Sequence, residues 1–276
     1  MPEQLLDVRP VAGSLGAEIF GADLSQDDSN QAYDEIHQAF LDHQVLFIRD
    51  QKLTPPQQAA FARRFGPLNI YPFVEGLKGT PEIIEIVKEP GETKNFGGVW
   101  HSDTTYLDCP PLGTVLYALE VPPAGGDTMY ANMYDAYDAL SQGMKDLLAP
   151  LVAVHDFAVA AATQYAQPIV IDQDFDGNNQ AKHPVVRTHP DTGRKSLFVN
   201  PGFTSHLLGF DKPESDALLG FLYAHMTQPE FIYRQIWQEN DLIMWDNRLL
   251  MHYAISDYGE QPRYLERTTL IGERPA

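Results

Sequence analysis

The stretch DLIMWDNRLLMHYAISDYGEQPRYLERTTLIG, Asp241 to Gly272, reads as strand after strand with no helix between. DLIMWD and YLERTTLIG are short, β-branched and aromatic, a composition suited to a pleated, half-buried surface. Between them an apolar run leads through Asp246-Asn247 to His252, and SDYGEQP supplies a polar turn. Hairpin pairing across that turn would return Arg263 to the neighbourhood of His252. Arg263 and Arg267 share strand parity, so they face one side, roughly 13 Å apart. Two arginines facing the inside of a β core are costly unless anions pair with them. As charges on an edge strand they mean little, and an isolated histidine in an apolar setting is usually a satisfied core residue. Both readings stand at this point.

Working outward, EIIEIV, TVLYALEV, PVVRTH, SLFVN and FIYRQIWQ have the same strand character, and QVLFIRD reads as a buried strand. Strands in consecutive runs, not alternating with helices, argue against a doubly wound fold. The expected class is mainly β with flanking helices, built on a jelly-roll-type core. Helices are predicted near Asn30–His43, where Tyr33, Ile36, Phe40 and Leu41 form a stripe, and in TPPQQAAFARRFG, where Thr54 is the N-cap. NMYDAYDALSQGMKDLL gives one or two more, capped by Asn132 and Ser141, and DKPESDALLGFLYAHM another from Asp211. There is no repeat, low-complexity tract or linker, so residues 1–276 read as one domain. Residues 158–182 lack a clear period and hold DQDFDGNNQ. A mobile surface segment, a lid, is expected there.

The formal net charge of −19 argues against nucleic acid or an anionic membrane as partner, since both are bound by clustered Lys and Arg. A small anion is still accessible, because local arginines in a closed pocket outweigh net charge. No apolar run approaches the ~20 residues that span a bilayer. MPEQLLDVRP lacks the basic-then-apolar pattern of a signal peptide, and Cys109 is the single cysteine. A cytoplasmic location and no internal disulfide are expected.

Val99 to Tyr106, VWHSDTTY, places His101 and Asp103 two residues apart. If the run is extended, both point to one face. The chain holds a second such pair, His189-Pro190-Asp191, but its Pro-Asp-Thr-Gly core is β-turn chemistry, so a hairpin tip is expected. A mononuclear non-haem Fe(II) site wants two histidines and one carboxylate on one octahedral face. Of the remaining histidines, His252 has the best setting. GGDTMYANM adds the hydroxyl of Thr128 after a glycine turn. There is no G-x-S-x-G, Walker loop, G-x-G-x-x-G or H-E-x-x-H.

Taken together, WHSD at His101 to Asp103, PPAGGDT ending at Thr128, WDNRLLMHYA around His252 and RYLERTTLIGERP from Arg263 resemble the taurine dioxygenase (TauD/TfdA) family. The likeness runs through GAEIFGADL, DHQVLFIRDQKLTPPQQ, RRFGPL and HPVVRTHPDTGRKSLFVNPGF in the right order. It implies a double-stranded β-helix (jelly roll, cupin-like) and a dioxygenase using Fe(II), 2-oxoglutarate and O2. His101, Asp103 and His252 would hold iron, and Thr128 and Arg263 the distal carboxylate of 2-oxoglutarate. Arg267 would clamp an anionic substrate, with Tyr106, Phe203, Tyr71 and Phe73 as further substrate contacts. The implied reaction hydroxylates a C–H bond of a small organic acid (carboxylate, sulfonate, sulfate or phosphonate) and releases succinate and CO2. Taurine itself fits poorly, because Tyr71, Val74 and Gly97 stand where its amine contacts would be. Family members are often dimers or tetramers, so a homo-oligomer is expected. Two alternatives use the same residues: a small-acid-binding protein without turnover, and a zinc hydrolase.

Overall fold

Strand-forming runs that are apolar at most positions can bury both faces, and three central strands of this chain do so. The computed structural model describes residues 5–26, 29–71, 74–90, 97–163 and 180–276. The N-terminal part holds β1 (Asp7–Pro10), β2 (Ala17–Phe20), α1 (Asn30–His43), β3 (Val45–Ile48), α2 (Pro55–Arg63) and β4 (Ile83–Lys88). Next come β5 (Gly113–Glu120), β6 (Thr128–Asn132), α3 (Met133–Asp138), α4 (Gln142–Leu148), β7 (Val152–Asp156) and α5 (Phe157–Thr163). Then follow β8 (Gln180–Pro184), β9 (Val186–Thr188), β10 (Lys195–Leu197), β11 (Thr204–Leu207) and α6 (Lys212–Met226). The chain closes with β12 (Ile232–Gln235), β13 (Leu242–Asp246), β14 (Leu250–Ala254) and β15 (Arg263–Leu270).

A seven-stranded sheet runs β1-β2-β3-β13-β5-β15-β4, and a three-stranded sheet runs β12-β6-β14. Smaller sheets are β11-β7-β8 and the β9-β10 hairpin. On β3, Leu46 and Ile48 pack with Ile36, Phe40 and Phe61 of the helices. Their neighbours Val45 and Phe47 point the other way, against Tyr130 and Leu250 of the three-stranded sheet. Strands β5 and β13 split likewise, with Val115, Tyr117, Leu242 and Met244 toward the helices and Leu116, Ala118, Ile243 and Trp245 toward the facing sheet. Full burial of one such side chain is worth about 1.5–3 kcal/mol, so these central strands anchor both layers. The result is the expected jelly roll with helices outside it.

The helices begin where cap chemistry places them. Asn132 accepts from the Tyr134 N–H at 2.9 Å and Ser141 from the Met144 N–H at 3.3 Å. Thr54 and Gln57 form a capping box. Two expectations fail. β14 and β15 do not form a hairpin: β14 pairs with β6, and β15 with β4 and β5. Arg263 thus faces His252 from the opposite sheet, because the two strands feed different layers of the sandwich. VWHSDTTY is also not a strand. Only His101 makes a bridge, to His252, and the chain then turns, with Thr104 at φ +43°. The lid expected at 158–182 falls largely on residues 164–179, outside the described residues. Among the described residues no helix is long and apolar enough to cross a membrane.

Candidate active site

His101 and His252 are locked together by reciprocal backbone bonds. The His101 N–H donates to the His252 carbonyl at 3.1 Å, and the His252 N–H to that of His101 at 2.8 Å. Their ring centroids lie 4.2 Å apart. The turn after His101 swings Asp103 toward them, so Oδ1 is 3.7 Å from the Nε2 of each histidine. Asn247 holds that turn from behind, accepting from the Asp103 N–H at 2.6 Å and donating to the Asp103 and Pro111 carbonyls at 3.1 Å.

All three side chains are buried, and one ligand atom from each lies within 4.8 Å of the others. Two metal–ligand bonds of ~2.1 Å reach across ~4.2 Å, so both 3.7 Å gaps suit a single ion. Nδ1 of His101 donates to the Val99 carbonyl at 2.7 Å, which turns the Nε2 lone pair toward the cluster. Burial disfavours ionisation of Asp103, yet Arg267, the two histidines and Thr114 overcome it and hold the carboxyl below its ordinary pKa. Burial lowers the pKa of both imidazoles, against the pull of Asp103. An ionised carboxylate with two neutral imidazoles is the state that binds a metal without first losing protons.

A narrow cavity leads away from the histidines, lined by Thr128, Trp245, Arg263, Leu265 and Arg267 among others. Arg263 is buried, its Nε has no hydrogen-bond partner, and it makes no ion pair among the described residues. Burial lowers its pKa, against weaker attraction from Tyr258, Tyr130 and Asp127. The Tyr130 hydroxyl, the Trp245 indole N–H and the His252 Nδ1 are also buried without partners. Trp245 packs 4.7 Å from the His252 ring and Tyr130 6.4 Å from it. Arg263 and Trp245 both line that cavity, and buried donors left unsatisfied there are expensive; a dicarboxylate bound beside them would relieve part of that cost. The residues therefore fit both an iron ion and 2-oxoglutarate.

Arg267 is also buried and lines the same cavity, but its Nη2 is 2.8 Å from Asp103 Oδ2. Its Nε donates to Thr269 Oγ1 at 3.2 Å, and its Cζ is 5.9 Å from the Tyr71 ring centre. Tyr71, Tyr106 and Phe203 belong to one buried aromatic group with Phe157 and Ile84. Phe203 meets His101 edge-on at 6.0 Å and Tyr106 at 5.3 Å. Phe73 lies outside the described residues. Three residues were missed from sequence. Thr114 donates to Asp103 Oδ2 at 2.8 Å, Asn247 grips the turn, and Trp237 donates to Thr128 Oγ1 at 3.0 Å. Asn247 sits inside WDNR and had a local signal. Thr114 looks like any strand threonine.

A jelly roll with a His-Asp-His cluster and a buried arginine cavity defines a non-haem iron dioxygenase, whose chemistry uses Fe(II), 2-oxoglutarate and O2. The sequence model of the "Taurine catabolism dioxygenase TauD, TfdA family" matches residues 7–269, and the chain belongs to that family. It is 38% identical to the alkylsulfatase of Acinetobacter baylyi, over 99% of this chain and 87% of that protein. It is 35% identical to the alpha-ketoglutarate-dependent sulfate ester dioxygenase of Pseudomonas putida, over 98% and 91%. The solved structure of a taurine dioxygenase from Burkholderia xenovorans superposes with a TM-score of 0.85 at 33% identity, covering 99% of this chain and 93% of that one.

Proposed function

We propose that the chain hydroxylates a C–H bond of a small anionic organic substrate, with sulfate esters the first class to test. His101, Asp103 and His252 are the iron ligands in this reading, and Arg263 with Thr128 receives the distal carboxylate of 2-oxoglutarate. The observation that carries it is Arg263, buried without an anion in the cavity that starts at His101 and His252. When bound, iron with 2-oxoglutarate and O2 supplies oxidative decarboxylation to succinate and CO2 and the power to hydroxylate an unactivated C–H bond. The protein's part is placement. Arg263 and Thr128 hold one end of the co-substrate with charge-assisted bonds. Arg267 presents positive charge beside Asp103 to the substrate's anionic group. Tyr71, Tyr106 and Phe203 form the wall that orients its carbon and excludes water.

Sulfate esters come first because the two relatives above carry that chemistry in their names. Hydroxylation at the carbon bearing the ester oxygen leaves a hydroxyl and a sulfate on one carbon. The C–O bond to sulfate then breaks as the hydroxyl loses its proton, giving an aldehyde and hydrogen sulfate. The test is to incubate Fe(II)-loaded enzyme with 2-oxoglutarate and a panel of alkyl sulfates, alkanesulfonates, phosphonates and carboxylates. Sulfate and succinate should appear one to one with an alkyl sulfate. Sulfate without succinate, above all with zinc in place of iron, overturns the reading in favour of a hydrolase. Binding of the acids with no succinate from any of them leaves a binding protein.

A further inference from the structure

Trp237 touches both residues assigned to the co-substrate's distal carboxylate, and we infer that it is their positioning residue. It directs the Thr128 hydroxyl proton into the cavity and supports the Arg263 guanidinium from below. The inference rests on the co-substrate reading above and adds a residue to it.

An indole N–H only donates. Thr128 Oγ1 accepts it at 3.0 Å, and the hydroxyl's one proton is left to go elsewhere. Among the described residues Thr128 donates to no protein acceptor, and it lines the cavity. A carboxylate, which only accepts, is the partner that completes this arrangement. The face of the same indole lies 5.4 Å from Arg263 Cζ, within cation–π range. That contact offsets part of the cost of burying a guanidinium before its anion arrives.

The local chain fixes the indole in place. Gln235, the last residue of β12, pairs with Thr128 of β6. Just beyond it, Arg49 donates to the Ile236 carbonyl at 3.3 Å and pairs with Asp241. The Gln238 N–H donates to Asp241 Oδ2 at 2.8 Å, and the Asp241 N–H returns to the Gln238 carbonyl at 3.2 Å. Trp237 is buried at 5% exposure, so its tilt is set before any ligand binds.

The test compares wild type, Trp237→Phe and Trp237→Leu, all loaded with Mn(II), by calorimetric titration with 2-oxoglutarate and with 2-oxovalerate. The second ligand keeps the 2-oxo acid end and the chain length but has no distal carboxylate. Trp237→Phe keeps an aromatic face and loses the N–H. It should weaken 2-oxoglutarate binding about three- to tenfold while 2-oxovalerate changes by less than about twofold. Trp237→Leu, lacking the aromatic face as well, should weaken it further. In turnover the KM for 2-oxoglutarate should rise by the same factor with kcat unchanged. Thr128→Val should cost less in the Trp237→Phe background than in wild type, because the two act through one proton. Unchanged 2-oxoglutarate affinity in Trp237→Phe overturns the inference, as does a parallel loss for both ligands, which marks a merely structural residue. A wild type that binds 2-oxovalerate as tightly as 2-oxoglutarate overturns the co-substrate reading itself.

Discussion

Two buried histidines in this molecule sit beside an aspartate with the same His-x-Asp spacing, and only one pair is left open. At the second pair, His189 Nε2 donates to Asp246 Oδ2 at 3.0 Å, and its Nδ1 accepts the N–H groups of Asp191 and Thr192. Arg248 grips Asp246 with two bonds, at 2.9 and 2.7 Å, and reaches Asp191 at 2.9 Å. At the first pair, Asp103 Oδ2 is likewise taken, by Thr114 and Arg267. Its Oδ1, however, faces two imidazole nitrogens at 3.7 Å, beyond hydrogen-bond distance. The lesson concerns valence, not residue type. One network closes on itself and is a fastener; the other turns one ligand atom from each of three residues toward the others, the arrangement proposed above to hold iron.

Removing each histidine in turn separates the two networks most strongly. His252→Ala should abolish Mn(II) binding, measured by calorimetry in the presence of 2-oxoglutarate, and with it succinate formation. His189→Ala should lower the melting temperature yet leave the metal affinity of the folded protein as in wild type. Equal loss of metal affinity in the two variants would dissolve the distinction.

The next effect is on stability. Asp246→Ala strands the buried Arg248 and should cost about 3–5 kcal/mol in urea denaturation. Its pH dependence has a definite sign. Burial opposes ionisation of Asp246, but Arg248 and His189 prevail and set its folded pKa below the ordinary 3.8. A depressed carboxylate stabilises fully above its unfolded pKa and loses that contribution as pH falls through the folded value. Asp246→Asn should therefore show its largest deficit at neutral pH, and the gap to wild type should narrow below pH ~4. A gap that widens on acidification would mean that Asp246 is not held ionised by this network.

Much of this was legible in the sequence because it depends on spacing along one element. Arg263 and Arg267 share parity on β15 and do line one cavity. The helix over Asn30–His43 and the caps Asn132 and Ser141 followed from local chemistry. The convergence of His101 with Asp103 was expected for the wrong reason. Strand alternation would align them, but the pairing stops at His101 and Asn247 holds the Asp103 backbone in the turn that follows, a tertiary contact that no local propensity reports. The meeting of Arg263 with His252 also needed tertiary knowledge, because the short turn between their strands suggested a hairpin and the strands enter opposite sheets. Thr114 and Trp237 act across elements. Their side chains look like ordinary strand and core residues until the partners are in place.

Thr114 gives the smallest expected effect, because its hydroxyl bridges Asp103, to which it donates, and Arg267, from which it accepts at 3.5 Å. Its hydroxyl donates to Oδ2 at 2.8 Å and, with Arg267, fixes which carboxylate oxygen faces the histidines. Valine is close to threonine in shape, so Thr114→Val removes the hydrogen bond without opening a cavity. The fully buried site should lose about 1 kcal/mol of stability. Partners behind a metal ligand are commonly worth 10–100-fold in metal affinity. Since Arg267 still restrains the carboxylate, Thr114→Val should fall near the lower bound, about tenfold in Mn(II) affinity. Thr114→Ser, which keeps the hydroxyl, should restore most of it. If valine and serine weaken Mn(II) binding alike, the orientation of Asp103 is set by Arg267 and the backbone clamp of Asn247, and the hydroxyl is incidental.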